Sequence, residues 1–192
     1  MDDPNYDFLK SKFHVDETTY AILQDLGKIK KLKAGESIVE QGSKTSKVAL
    51  VLTGLMRAYS TLESGKEITK NIFTPLNFIG AFSSLIKNKP SLFCYEALVD
   101  SVIFEIDFQE FNEVTKTNVK VSNLYNRIME EVFTIYELKQ LEEMALNATE
   151  RYLKLIERIP NIEKLIPQYQ IASYLNISPV QLSRIRKTLK TD

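Results

Sequence analysis

The chain has 192 residues, of which 44% are hydrophobic, enough for one large domain or two small ones around a buried core. Lys and Arg number 25, as do Asp and Glu, and there is one His and one Cys; this excludes an internal disulfide, a multi-thiolate metal or iron–sulfur centre, and most His-based acid–base machinery. No apolar run approaches a membrane span and Met1-Asp-Asp-Pro-Asn-Tyr-Asp opens acidic and polar, unlike a signal peptide, so a cytoplasmic protein with no membrane partner is expected.

From Tyr6 to Leu26, the residues Phe8, Leu9, Phe13, Tyr20, Leu23 and Leu26 recur at roughly helical spacing, and Gly27 supplies a stop. One or two helices are predicted there, with His14 at the surface. Between Ile29 and Asp107 the texture changes to short β-rich runs broken by turn residues: Ser37 to Glu40, Val48 to Thr53, Leu55 to Thr61, Ile68 to Phe73, Leu92 to Leu98 and Val102 to Ile106. That pattern predicts an antiparallel barrel or jelly roll. Cys94 lies within it and reads as a packed thiol.

Beyond Phe108 the β signal stops, and neither Gly nor Pro occurs until Pro160. Leu124, Ile128, Ile135, Leu138 and Ala145 are spaced alternately by three and four, with Glu131 and Glu142 at two positions of the same seam. A second stripe, Tyr125, Met129, Val132, Phe133 and Tyr136, makes the helix apolar on two sides, one to cover the barrel and one to meet a partner. Thirty helical residues would span about 45 Å, longer than a small barrel needs. A parallel homodimer along this helix is expected, followed by a helix from Thr149 to Ile159 closed by Pro160.

The C-terminal stretch from Gln168 to Lys187 reads as two short helices joined by a tight turn. Ile171, Ala172 and Leu175 share one face of the first, and Leu182 and Ile185 one face of the second. Small Ala172 permits close crossing, Asn176 tolerates a left-handed turn, and Ser178-Pro179 is an N-cap with a first-turn proline. Gln181, Arg184 and Lys187 lie on the polar face, donors suited to base edges and phosphates, as in a helix-turn-helix. From Ala148 onward there are eight Lys and Arg against four Asp and Glu, whereas the rest has 17 against 21. A basic end on an acidic body suits a nucleic-acid contact made by that end.

Taken together the chain resembles the cyclic-AMP receptor protein and fumarate-nitrate regulator (Crp/Fnr) family of transcription regulators over nearly its whole length. The residues that carry the resemblance are Leu32-x-x-Gly35-Glu36-x-Ile38-x-x-Gln41-Gly42, then Gly54, Arg57 and Tyr59, then Gly65-Lys66-Glu67, then Phe73, Pro75, Phe78, Ile79 and Gly80. Gly35, Gly42, Gly54 and Gly65 fall where tight reversals need positive φ. The resemblance implies an α+β chain: a β-roll sensor of the cyclic-nucleotide-binding type with N-terminal helices (1–115), a long dimerisation helix (116–147) whose seam includes Leu124, Ile128, Ile135 and Leu138, and a helix-turn-helix domain (148–192). It further implies double-stranded DNA with a palindromic operator as partner, RNA polymerase as another, and a small-molecule effector.

The departures refine these expectations. The family's cyclic-nucleotide cassette places a Glu and an Arg-Ser pair after the conserved Gly; here Ala81 follows Gly80, and Ser91-Leu92 stands where Arg-Ser belongs. A buried cyclic phosphate needs a paired cation that Leu92 does not offer. The pocket, Phe78, Gly80, Ala81, Ser91 and Leu92, is therefore expected not to take cyclic AMP in the usual way, with Lys87 or Lys89 as candidates to supply charge. Haem and iron–sulfur sensing are disfavoured by the Cys and His counts. In the second C-terminal helix only Arg184 keeps the family's reading chemistry, Val180 making apolar contact at most. Arg184 and Gln181 are expected on base edges, and Gln168, Ser178, Ser183 and Lys187 nearer phosphates. The chain ends at Asp192, so the two-stranded wing that usually follows is expected to be missing. A rival is a signalling or interaction module whose helix-turn-helix does not read DNA; an enzyme has little support, because no nucleophile–base pair, phosphate loop or metal cluster is recognisable.

Overall fold

The computed structural model describes residues 3–189. The chain runs α1 (Pro4–Phe13), α2 (Glu17–Leu26), β1 (Gly27–Leu32), β2 (Ser37–Val39), β3 (Lys47–Thr53), β4 (Met56–Thr61), β5 (Glu67–Phe73), β6 (Phe78–Gly80), α3 (Phe82–Lys87), β7 (Cys94–Ala97), β8 (Ser101–Asp107), α4 (Phe108–Thr117), α5 (Val119–Ala145), α6 (Ala148–Arg158), α7 (Ile162–Leu165), α8 (Gln168–Tyr174) and α9 (Pro179–Thr188). The class is α+β, as expected, with an antiparallel β-roll.

The roll consists of two four-stranded sheets, β1-β8-β3-β6 and β2-β7-β4-β5. Side chains of alternate residues reach opposite faces. On β8, Ser101, Ile103 and Glu105 are buried while Val102, Phe104 and Ile106 are only partly covered. Of the inward set, Ile103 joins Val51, Met56, Ala58, Ile79, Tyr95 and Ala97 in the core between the sheets. Gly35, Gly42, Gly54 and Gly65 all adopt the left-handed backbone anticipated for them, with φ of 87°, 81°, 90° and 80°. Gly54 is doubly constrained, because a Cβ there would lie 2.7 Å from the Asp100 carbonyl oxygen.

Two further cores attach helices to the roll. Leu9, Phe13 and Leu23 of the N-terminal helices, with Val15 between them, pack on Phe111, Val121, Leu124 and Ile128. At the other end Leu55, Ile72 and Leu98 of the roll join Tyr152, Leu155, Ile162, Ile171, Ala172, Leu175 and Leu182, so the C-terminal helices dock directly on the roll.

Three local differences from the sequence reading have physical causes. Strand β1 carries Lys28, Lys30 and Lys31, which masked its alternation; it is an edge strand, where lysines discourage pairing with another chain. The helical region after Phe108 is interrupted at Asn118, whose backbone is extended (φ −120°, ψ 105°) and whose side chain accepts the N–H groups of Lys120 and Val121 to cap α5. The long helix therefore has 27 residues, from Val119 to Ala145. Lastly, Phe82–Lys87 forms the short helix α3 where only a connecting segment was expected.

Candidate functional site

The roll opens beneath α5 into a cavity of about 410 Å³, lined by Lys70 of β5, Gly80, Ala81, Phe82 and Ser83 at the start of α3, Ser91, Phe93 and Tyr95 near β7, and Met129, Val132, Phe133 and Tyr136 of α5. Gly80, Ala81 and Ser91 thus sit together as anticipated. The other two expected pocket residues do not belong to it. Phe78 turns toward α1, edge-on to Phe13 at 5.6 Å between ring centroids, and Leu92 is 67% exposed. The loop that carries Leu92 points it outward because Ser91 is its inward neighbour: the Ser91 hydroxyl donates to the Phe93 carbonyl at 2.7 Å and accepts the Phe93 N–H at 3.2 Å, pinning the turn.

The cation of this pocket is Lys70, not Lys87 or Lys89, which are exposed and outside the lining. Its ammonium stands 4.7 Å from the Phe93 ring centroid and 4.8 Å from that of Tyr136. Burial pulls the Lys70 pKa down and pushes those of Tyr95 and Tyr136 up. No motif marks Lys70, which sits in an ordinary strand run; the α5 side of the pocket was carried by the second apolar stripe.

Below the pocket, Arg57 is buried between two carboxylates, with Nη1 at 2.7 Å from Glu67 and Nη2 at 3.1 Å from Glu96. Its guanidinium stacks 3.7 Å from the Tyr59 ring centroid, and Tyr59 donates to Glu96 at 3.1 Å. Cys94 is buried beside them, 3.2 Å from the Ser37 hydroxyl, and desolvation raises its pKa. It is a packed thiol.

The C-terminal pair of helices has the geometry that the sequence suggested. Asn176 has φ of 53° at the turn. Ser178 caps α9 in a capping box: its hydroxyl accepts the Gln181 N–H at 3.2 Å, and the Gln181 side-chain oxygen accepts the Ser178 N–H at 3.3 Å. Leu182 is fully buried against the α8 side, whereas Gln168, Ser178, Val180, Gln181, Ser183, Arg184 and Lys187 all reach the surface. Gln181 therefore has its carbonyl oxygen engaged at the helix start and keeps its amide N–H groups for other partners. Neighbouring Arg186 is turned away, ion-paired with Glu163.

Helix α5 divides its apolar residues between two surroundings. Leu124 and Ile128 are buried under this chain's own α1 and α2, a correction to the seam in which the sequence placed them. Ile135 and Leu138 are exposed, as are Leu141 (60%) and Met144 (79%). Thr134, Leu138, Leu141 and Ala145 now follow one another by four, three and four along the uncovered face. The sequence offered two overlapping stripes, and only packing against α1 and α2 decides which residues remain uncovered.

The match to a protein-family model covers residues 29–118 and is to the cyclic nucleotide-binding domain. Those residues are similar to a cyclic nucleotide-binding domain. The fold of the whole chain is shared with solved transcription regulators. FixK2 from Bradyrhizobium japonicum is 20% identical, with a TM-score of 0.69 over 86% of this chain and 85% of that one. The c-di-GMP-responsive global regulator CLP of Xanthomonas campestris is 12% identical, with a TM-score of 0.72 over 92% and 93%. A chain from Eubacterium rectale assigned to the Crp/Fnr family of transcriptional regulators is 19% identical, with a TM-score of 0.74 over 97% and 88%. No curated protein sequence matches significantly. Among the described residues no helix is long and apolar enough to cross a membrane.

The 410 Å³ cavity lies between the roll and the long helix, and among the described residues its one lining cation comes from a strand instead of from the segment after Gly80. Ser91 has its hydroxyl engaged locally and Leu92 faces solvent. The end of the chain at Asp192, on which the expectation of a missing wing rested, lies outside the described residues.

Proposed function

We propose that the chain is a homodimeric, DNA-binding transcription regulator of the Crp/Fnr type, whose effector is not cyclic AMP. The observation that carries this reading is the outward face of α9: Val180, Ser183 and Arg184 are exposed together on a helix whose opposite side, Leu182, is buried in the sensor-attached core. A helix held by one face and offering an arginine on the other suits insertion into a major groove. Arg184 and the Gln181 amide are assigned to base edges; Ser183, Lys187, Ser178 and Gln168 to the phosphates beside them; and Val180 to a thymine methyl. The uncovered apolar face of α5 supports the dimer, which would set two copies of α9 about 34 Å apart on successive turns of a palindromic operator.

The pocket supports an effector other than cyclic AMP. A cyclic phosphate taken from water into a partly dry site needs donors that stay charged and aimed. Lys70 is one, but burial disfavours its charge and two aromatic rings already occupy its surroundings. A flat, weakly polar molecule with one acceptor group for Lys70 fits the lining better. Effector binding would act by favouring one packing of α5 against the roll, a population shift that moves the attached helix-turn-helix. RNA polymerase is the further partner such a regulator would address, and the cytoplasm its compartment.

Selection of bound duplexes from a random pool tests the reading. A palindromic half-site repeated at about ten base pairs, lost in Arg184→Ala with folding unchanged, is the expected result. Absence of any duplex affinity at low salt would overturn it in favour of a protein-interaction module.

A further inference from the structure

Outside the effector pocket lies a second cavity, of about 170 Å³, between the outer face of sheet β1-β8-β3-β6 and the helices α1, α2, α4 and α5. A closed cavity of about 150 Å³ lined by aliphatic and aromatic groups admits benzene. The pocket here has a similar volume and a largely apolar lining, with Leu50, Phe104 and Ile106 from the strands and Leu23, Phe111 and Ile128 from the helices among its walls, and it opens to solvent on the side of Ile29, which is 65% exposed.

The walls are held apart by aromatic packing. Phe82 meets Phe108 edge-on at 6.2 Å, Phe108 contacts Tyr125 at 6.2 Å, and Tyr125 contacts Phe111 edge-on at 5.8 Å. Rings locked at such angles do not relax into the space as flexible chains would. On the strand side, the Phe104 ring occupies the place that a Cβ on Gly27 would take. The polar groups are few. Asp3, Asn5, Gln24 and the hydroxyls of Tyr20 and Tyr125 complete the lining, and Asp3 is already the acceptor of the Tyr20 hydroxyl. Among the described residues no lysine, arginine or histidine lines the cavity, so an anion would meet a carboxylate and no counter-charge there.

We propose that this cavity is a binding site for a small, uncharged aromatic molecule about the size of a substituted benzene, separate from the effector pocket. Phe82 and Met129 line both cavities and form the partition between them. One wall is the first half of α5, so the occupant would bear on the helix whose second half carries the exposed apolar face.

The test is a titration of the full chain, methyl-labelled at Ile, Leu and Val, with toluene as the probe and benzoate as the charged control. Toluene should shift the methyl signals of Leu23, Leu50, Ile106 and Ile128 saturably, with a dissociation constant on the order of millimolar or below, as suits so few atoms, while benzoate leaves them unmoved. Ile106→Phe, which puts a ring into the space, should weaken toluene binding by about tenfold or more, one ring's worth of volume being removed. Should that variant not fold, the wild-type titration decides alone. Toluene shifts absent from these methyls, or confined to Val132 and others around the effector pocket, would overturn the proposal, as would equal shifts from benzoate.

Discussion

The hydroxyl of Ser173 accepts the backbone N–H of Thr69 at 2.9 Å, and the same hydroxyl donates to the Glu67 carbonyl at 3.0 Å. Strand β5 is an edge of its sheet, and an edge presents backbone groups with no neighbouring strand to satisfy them. Here α8 supplies that partner. One residue further on, the Lys70 carbonyl accepts the ammonium of Lys139 on α5, and Lys139 lies 4.7 Å over the Tyr174 ring of α8. The strand that puts Lys70 into the pocket beneath α5 thus shares its outer edge with both α5 and α8.

Removing that link should loosen the C-terminal helices. Ser173→Ala strips two hydrogen bonds and leaves a part-buried donor and acceptor, a loss of about 1–3 kcal/mol. Urea denaturation reads the stability, and amide exchange at Thr69 and across α8 reads where it was lost. Unchanged protection at Thr69 would show that the hydroxyl does not secure the docking.

Arg57 should be much less tolerant. It is 3% exposed and held by Glu67 and Glu96, contacts that keep its pKa high against the opposing effect of burial. Truncating one member of a buried ion-pair set leaves the others uncompensated, typically about 3–5 kcal/mol. Arg57→Met should fall near the lower end, since Glu67 is one-third exposed and can turn to water. Glu67→Gln should cost less than Arg57→Met in the same denaturation series; the reverse order would assign the network's weight wrongly.

How far these relationships were legible in the sequence depends on the range of the interaction. The turn glycines, the Ser178 cap and the Asn176 turn are local, each fixed by the backbone preference of one residue, and they appear where the chain reads them. Strand β1 was missed because its lysines answer to its position at a sheet edge, which no short window contains. Leu124 and Ile128 had the right period and the wrong neighbours: coverage by α1 and α2, more than a hundred residues earlier, is a tertiary fact. Lys70 illustrates the same limit at the site. Strand position alone does not reveal that Tyr136 of a distant helix will close over it.

The Lys70 environment gives a pH dependence with a definite sign. Its folded pKa lies below the ordinary lysine value because burial disfavours the charge. In the alkaline window between the folded and unfolded pKa values the unfolded chain holds more protons, so this group's contribution to stability rises with pH, and below the folded pKa the penalty is fully present. Lys70→Met should therefore be at least as stable as the parent at pH 7, with the difference shrinking as the pH approaches 10. Thermal unfolding of both proteins at pH 7, 8.5 and 10 measures it. A variant that is less stable at pH 7 would mean that the contacts with Phe93 and Tyr136 outweigh desolvation.

The last expectation concerns the uncovered side of α5. Leu138 and Leu141 are 57% and 60% exposed on the second half of a helix whose first half is packed against its own chain, and Met144 continues the surface toward the helix end. Leucines left in water forgo roughly 1.5–3 kcal/mol apiece relative to full burial, and several in succession at alternating spacings of three and four match the seam of a paired helix. Leu138→Asp together with Leu141→Asp would set carboxylates facing carboxylates across that seam while removing nothing that the monomer's own core uses. Sedimentation should then show a folded monomer, where the parent is expected to sediment as a dimer. Affinity for a palindromic duplex should fall by orders of magnitude, because each subunit would bind its half-site alone, without the gain from linking two contacts, while affinity for an isolated half-site should barely change. A double variant that still dimerises would overturn the proposed α5 interface, and with it the proposed coupling of the pocket to DNA.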